Sequence, residues 1–113
     1  MSETAPSTYR VCLLHDEAIT DAEQDNADVF VYFADGRKYV ATFFTLKNVA
    51  TIMERHRSTG ESAGGIYFWA TDAIIVERLD RAVIEKTVAD LLSHKVFEQA
   101  FDGPYPIDDN ENV

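Results

Sequence analysis

The stretch VFVYFADGRKYVATFFTLKNVATIMERHR, residues 29–57, decides the fold of this chain. Asp35-Gly36 separates two runs rich in β-forming residues, and it is the strongest short signal for a hairpin because a type I′ turn needs positive φ at both central residues. A two-residue loop at this point predicts that Tyr32 pairs with Tyr39. A helical pattern follows the second run directly, which completes a strand–strand–helix unit.

The predicted hairpin is apolar on both faces. One face carries Val29, Val31, Phe33, Val40 and Phe44, and the other carries Phe30, Tyr32, Tyr39, Ala41 and Phe43. Such a hairpin must be covered on both sides, by helices, by another segment or by another subunit.

The helix after the hairpin has recognisable ends. Thr45 is a good N-cap residue, and Gly60 can end the helix in the left-handed conformation. The spacing of its apolar residues predicts one stripe facing the sheet, formed by Leu46, Val49, Ala50 and Met53.

A second unit of the same order follows. The runs GIYFWA and AIIVERL, separated by Thr71-Asp72, predict a second hairpin. Asp80 then caps a helix whose predicted buried stripe consists of Val83, Ile84, Val88, Leu91 and Leu92. A last helical segment from about Lys95 to Phe101 either continues this helix or follows a kink.

These elements predict an α+β fold. With a short strand at residues 9–14, the order is β-ββα-ββα(α), giving an antiparallel sheet of four to five strands with two to three helices. We expect a disordered N-terminus at 1–8, a single α+β domain at 9–103 and an acidic flexible tail at 104–113.

The net charge of −10 is unevenly distributed. Residues 1–28 hold seven acids and one base, residues 102–113 hold four acids and no base, and residues 29–101 hold nine of each. No basic footprint exists for counterion release, so we expect no binding to nucleic acid. The acid excess indicates either solubility or an acidic surface for a basic partner.

The remaining composition favours a cytoplasmic location. A single cysteine excludes an internal disulfide, the N-terminus lacks a secretory pattern, and no apolar run is long enough to cross a bilayer. We therefore expect no membrane association.

Motifs for chemistry are weak. Cys12 and His15 have the spacing of two metal ligands, but two further ligands are not evident. Asp21, Glu23 and Asp25 alternate as in a calcium loop, yet the glycine and the bidentate glutamate of that loop are missing. The sequence predicts no catalytic residue, no metal and no cofactor.

Aromatic residues provide the candidate binding site. Tyr32, Tyr39, Tyr67 and Trp69 can share one sheet face, and Tyr and Trp are favoured at interfaces. The first hypothesis is a small non-catalytic domain that binds protein, either itself as a homodimer or another chain. The alternatives are an acidic inhibitor or immunity-type protein that occludes a basic site, and a small enzyme.

Overall fold

A computed structural model describes residues 8–13 and 25–108. The elements in chain order are β1 (Tyr9–Leu13), β2 (Asn26–Phe33), β3 (Arg37–Thr45), α1 (Leu46–Thr59), α2 (Glu61–Gly65), β4 (Ala73–Val76), α3 (Arg81–Ser93), α4 (Phe97–Ala100) and β5 (Asp102–Pro106). The predicted α+β class with an antiparallel sheet is confirmed. The expectations for residues 1–7, 14–24 and 109–113 lie outside the described residues.

The longest strand, β3, organises the five-stranded sheet. β1, β2 and β3 pair antiparallel in that order, so β2 occupies one edge of β3. The other edge of β3 is shared, because β4 pairs parallel with Thr42–Thr45 and β5 pairs antiparallel with residues 37–40.

The turn of the first hairpin has three residues rather than two. The Gly36 N–H donates to the Phe33 carbonyl at 3.0 Å, and Gly36 has a φ of +95°. Consequently Tyr32 lies opposite Lys38, and the predicted pairing with Tyr39 is wrong by one residue. A turn followed by a left-handed glycine is the usual three-residue loop, and it uses one more residue than a type I′ turn.

The one-residue shift reverses the faces of β3, because side chains alternate along a strand. The predicted face assignment of β3 is therefore wrong. The core face combines Val29, Val31 and Phe33 of β2 with Tyr39, Ala41 and Phe43 of β3, all buried. Phe30 and Tyr32 lie on the opposite face and are half-buried.

Helices α3 and α4 cover the core face. Ile84 and Val88 are completely buried, and Val83, Leu91 and Leu92 pack against the same cluster, which confirms the predicted α3 stripe. From α4, the Phe97 ring lies 5.0 Å from the ring of Tyr39 and 5.6 Å from that of Phe33. Such edge-to-face rings add to the stability that burial gives.

Helix ends largely follow the sequence. The Thr45 hydroxyl accepts from the Asn48 N–H at 3.0 Å, and the Asp80 carboxylate accepts from the Val83 N–H at 2.9 Å, as N-caps do. Gly60 ends α1 with a φ of +86°. The α3 helix ends at Ser93, so α4 is a separate helix and does not continue α3.

The predicted stripe of α1 is only partly correct. Val49 and Met53 are half-buried, but Leu46 is 71% exposed and Ala50 is exposed. The helix instead turns Asn48 inward, where its side-chain oxygen accepts from the Asn26 amide at 2.9 Å. This polar contact fixes the rotation of α1 and leaves Leu46 outside.

The predicted second hairpin is wrong. Residues 66–70 form no strand, and β4 pairs parallel with β3. The α1 helix provides the crossover connection that two parallel neighbouring strands require, so β4 pairs directly with β3 and uses no strand at 66–70. The turn at Thr71-Asp72 does form, with Asp72 at a φ of +52°.

The predicted tail begins too early. Residues 104–106 belong to β5, where Tyr105 lies opposite Lys38 and Pro106 opposite Arg37. Because β4 covers only the end of β3, the beginning of β3 offers free backbone groups to this segment. No helix in the described part of the chain has the length and apolarity needed to span a bilayer.

The hairpin turn gives a first testable prediction. Gly36→Val should lower the free energy of unfolding by about 1–3 kcal/mol, since a β-branched residue is strained at positive φ. No atom lies within 4 Å of a Cβ at this position, so backbone strain is the only expected cause. Denaturant unfolding measures the change, and Gly36→Asn, which tolerates this conformation better, should lose less. Equal stability of all three proteins would contradict the turn.

The cap of α3 gives a second prediction, on pH. The Val83 N–H bond lowers the pKa of the Asp80 carboxyl, and the Arg78 guanidinium at 2.8 Å lowers that pKa further. A depressed folded-state pKa contributes stability above the unfolded value, near 3.9, and this contribution is lost as pH falls through the folded value.

Asp80→Asn keeps a capping oxygen but cannot ionise. Its stability relative to wild type should therefore be lower at pH 7 and should approach wild type as the pH falls below about 4. Urea unfolding at a series of pH values measures this difference. A difference that does not change with pH would show that the charge of Asp80 adds nothing to the cap.

Candidate functional site

The four aromatic residues predicted to share a binding face are separated by the structure. Tyr39 lies on the core face and is completely buried, whereas Tyr32 lies on the opposite face of the sheet. Tyr67 and Trp69 precede β4 and are exposed. The expectation of one shared face is wrong for Tyr39. The error comes from the hairpin register, which differs by one residue from the predicted one and moves Tyr39 to the core face.

The environment of Tyr39 is that of a core residue. Its hydroxyl accepts from Arg37 Nη1 at 2.9 Å, and burial raises the pKa of this phenol. Arg37 in turn pairs with Asp35 at 2.8 Å and lies 5.0 Å from the centre of the Phe33 ring. The buried hydroxyl is thus satisfied within the chain, as a structural tyrosine requires.

Tyr32 lies in a small aromatic group. Its ring is stacked on Phe30 with centroids 6.2 Å apart, and the Arg10 guanidinium lies 5.6 Å from its centroid. The contact with Arg10 ties β1 to β2 on this face of the sheet.

The large apolar residues that are exposed belong to the part of the described chain that follows β3. The exposed large apolar side chains among the described residues are Leu46, Ile66, Tyr67, Trp69, Ile75 and Tyr105. All of them follow β3, precede β4 or lie in β4 and β5, beyond the shared edge of β3. We name the first five the β4-side surface.

The strongest exposure lies in residues 66–69. Trp69 is 75% exposed and Ile66 is 73% exposed, whereas Phe68 is half-buried and its ring packs edge-to-face on Phe44 with centroids 5.0 Å apart. The Phe68 ring therefore anchors the segment, and the side chains of Tyr67 and Trp69 on either side of it face outward.

The short element α2 has the backbone of a left-handed turn rather than of an α-helix, and it precedes residues 66–69 directly. Ser62, Ala63 and Gly64 have left-handed backbone angles, and the Ile66 N–H donates to the Ser62 carbonyl at 3.2 Å. A Cβ on Gly65 would lie 2.2 Å from the Met53 carbonyl oxygen, so only glycine allows this approach to α1. The turn directs residues 66–69 back toward the start of β4.

The outer edge of β4 carries no strand in the described part of the chain. The Thr42 N–H donates to the Asp72 carbonyl at 3.0 Å, and Thr42 pairs with Ala73. In a parallel ladder with this register, Ile74 and Val76 bond to β3. The backbone groups of Ala73 and Ile75 therefore point away from β3.

A groove separates this edge from α3. It has a volume of about 440 Å³ and is lined by Ile75, Val76, Glu77, Val83, Lys86, Thr87, Asp90 and Leu91. A second depression of about 250 Å³ joins Leu46 to Val76 and Glu77. The wall of the groove is apolar and its rim carries charges of both signs, which suits protein contact.

Within residues 8–13 and 25–108, no three His, Cys, Asp or Glu side chains converge as a metal site would require. His56 Nε2 lies 3.1 Å from Glu61 Oε1 after the end of α1, and the other ring nitrogen, Nδ1, is buried without a hydrogen-bond partner in the described part of the chain. Cys12 lies half-buried in β1 opposite Phe30, while His15 is outside the described residues.

Sequence reasoning found Tyr67 and Trp69 but missed Leu46, Ile66 and Ile75. Leu46 fitted a buried helical stripe, and Ile75 fitted the second strand of the predicted second hairpin. Their exposure depends on the rotation of α1 and on the position of β4 at an edge, which no local pattern encodes.

No protein-family model, no curated protein and no solved structure matches this chain.

Proposed function

We propose that this chain is a non-catalytic protein-binding domain that acts as a homodimer through the β4-side surface. The observation that carries the proposal is the exposure of Trp69, at 75%, and of Ile66, at 73%, in the connection between α1 and β4. A single exposed apolar residue is ordinary, but three exposed within residues 66–69 are typical of an interaction site. Tyrosine and tryptophan are also the residues most enriched in interfaces.

The charge distribution supports a second copy as the partner. Residues 29–101, which contain the whole β4-side surface, hold nine acids and nine bases. Much of the acid excess belongs to residues 1–28, and β1 in that region lies at the opposite edge of the sheet. The other four acids of the excess lie in residues 102–113, which begin in β5 on the same edge of β3, so the balanced charge applies to β4 and α3 rather than to β5.

Symmetry also favours self-association. A two-fold axis lets one patch cover its own copy, and this arrangement is the commonest among soluble oligomers. Each copy would then shield the rings that the other leaves exposed, with no separate partner required.

The single tryptophan makes the proposal directly measurable. Trp69 is exposed in the monomer, so its fluorescence emission should shift to shorter wavelength as protein concentration rises and the dimer forms. Analytical ultracentrifugation over the same range should show conversion from monomer to dimer. A monomer at all concentrations, with unchanged emission, would overturn the proposed homodimer.

Two matched variants locate the interface. Trp69→Ser should weaken the dimer at least about 10-fold, as truncation of a central interface aromatic does. Tyr32→Ser removes an aromatic side chain from β2, two strands away from β4, and should leave the dissociation constant unchanged. Sedimentation equilibrium gives both constants. The reverse result would move the interface to the β2 side of the sheet.

A further inference from the structure

We propose that two copies join by antiparallel pairing of their β4 strands across a two-fold axis, so that the two sheets become one. This inference rests on the proposed homodimer and adds the strand edge at which it forms. The occupant of the β4 edge is thus the β4 strand of a second copy.

The first argument is the unprotected edge. Ala73 and Ile75 direct their N–H and carbonyl groups away from β3, and the described part of the chain supplies no strand for them. Natural sheets guard such edges with charges, proline or bulges. The strand sequence AIIV contains none of these and is limited only by its length of four residues, whereas β1 at the opposite edge carries Arg10 in its second position.

The second argument is the register that symmetry imposes. An antiparallel pair centred on Ile75 sets Ile75 opposite Ile75 of the second copy, and Ala73 opposite Glu77. This register pairs the outward-facing N–H and carbonyl groups of Ile75 in the two copies, and it sets those of Ala73 opposite Glu77, the first residue after β4. It also keeps the two Glu77 carboxylates apart, since each faces a neutral alanine.

The third argument is the groove beside the edge. Val83, Thr87 and Leu91 follow one side of α3 at intervals of four residues, and all three are half-buried along the groove of about 440 Å³. A second strand at the β4 edge brings the second α3 alongside the first. The half-buried side chains of each helix then cover those of the other, while Lys86 stands on the same rim as Glu77 and Asp90.

The surrounding surface extends the same interface. Ile75 in the strand is exposed, and the outward-facing Tyr67 and Trp69 lead into it. Leu46 shares a depression with Val76 and Glu77 at the end of β4. Strand pairing therefore places Ile75 on the two-fold axis.

The test compares Ile75→Pro with Ile75→Thr. Proline removes the N–H that faces the open edge, and it spares the ladder to β3, which uses Ile74 and Val76. Threonine keeps that N–H and the β-branched shape but reduces the apolar surface. Ile75→Pro should weaken the dimer at least 100-fold, and Ile75→Thr no more than about 10-fold.

Circular dichroism and thermal unfolding confirm that both variants are folded before association is measured. Equal weakening by the two substitutions would overturn strand pairing, because the backbone donor would then contribute nothing. In that case the dimer would form by side-chain packing alone, and Trp69→Ser would still weaken it.

Amide hydrogen exchange on the wild-type chain supplies an independent readout. The amides of Ala73 and Ile75 should become protected as concentration rises through the dissociation constant, while those of Ile74 and Val76 stay protected throughout. A dimer whose Ala73 and Ile75 amides exchange freely would overturn this inference and keep the proposed homodimer. A monomer at all concentrations would overturn both, and would leave the edge to a strand from another protein.

Discussion

The register of the first hairpin is the constraint on which the remaining structure depends. The three-residue turn closed by Gly36 sets Val31 opposite Tyr39 and thereby puts Tyr39, Ala41 and Phe43 on the buried face. A shift of one residue would expose these side chains and bury Lys38. The aromatic contacts of Phe97 with Tyr39 and Phe33, which fasten α4 to the sheet, exist only in the observed register.

Different parts of β3 pair with different strands on its second edge. With nine residues, β3 is longer than either strand on its second edge, so β4 and β5 share that edge. Each of the two strands is short, with four and five residues, and each pairs with β3 alone. The side of the molecule beyond β3 is thus built from short strands and turns, and the exposed apolar side chains are found there.

The sequence predicted the features that depend on residues close together in the chain, namely the helix caps, the buried stripe of α3 and the first hairpin. Thr45, Asp80 and Gly60 are caps whose side chains or backbone freedom act within one helical turn, and all three lie where the pattern placed them. The buried stripe of α3 was equally predictable, because Ile84 and Val88 lie on one face of the helix and that face packs against the core. The hairpin was predicted as well, though its loop length was not, since Asp35-Gly36 suits loops of two and of three residues.

What the sequence could not predict depends on contacts between distant residues. The aromatic run at 66–70 has strong β propensity, yet the parallel entry of β4 leaves it without a strand to pair with. Residues 104–106 carry two prolines, which argue against a strand, but an edge position tolerates them. Of the candidate site, Tyr67 and Trp69 were found by residue type, and Tyr39 was misplaced by the register alone.

The left-handed turn after α1 explains why the exposed rings lie where they do. Ser62 and Ala63 hold left-handed angles that cost about 1–2 kcal/mol per residue outside glycine. Such strain persists only where the surrounding structure fixes it, and here Gly65 packs against the Met53 carbonyl while Phe68 packs on Phe44. A relaxed loop could join α1 to β4 without this cost. The strained connection instead holds Tyr67 and Trp69 on a short, doubly anchored segment, which reduces the conformational entropy that these rings would lose on association.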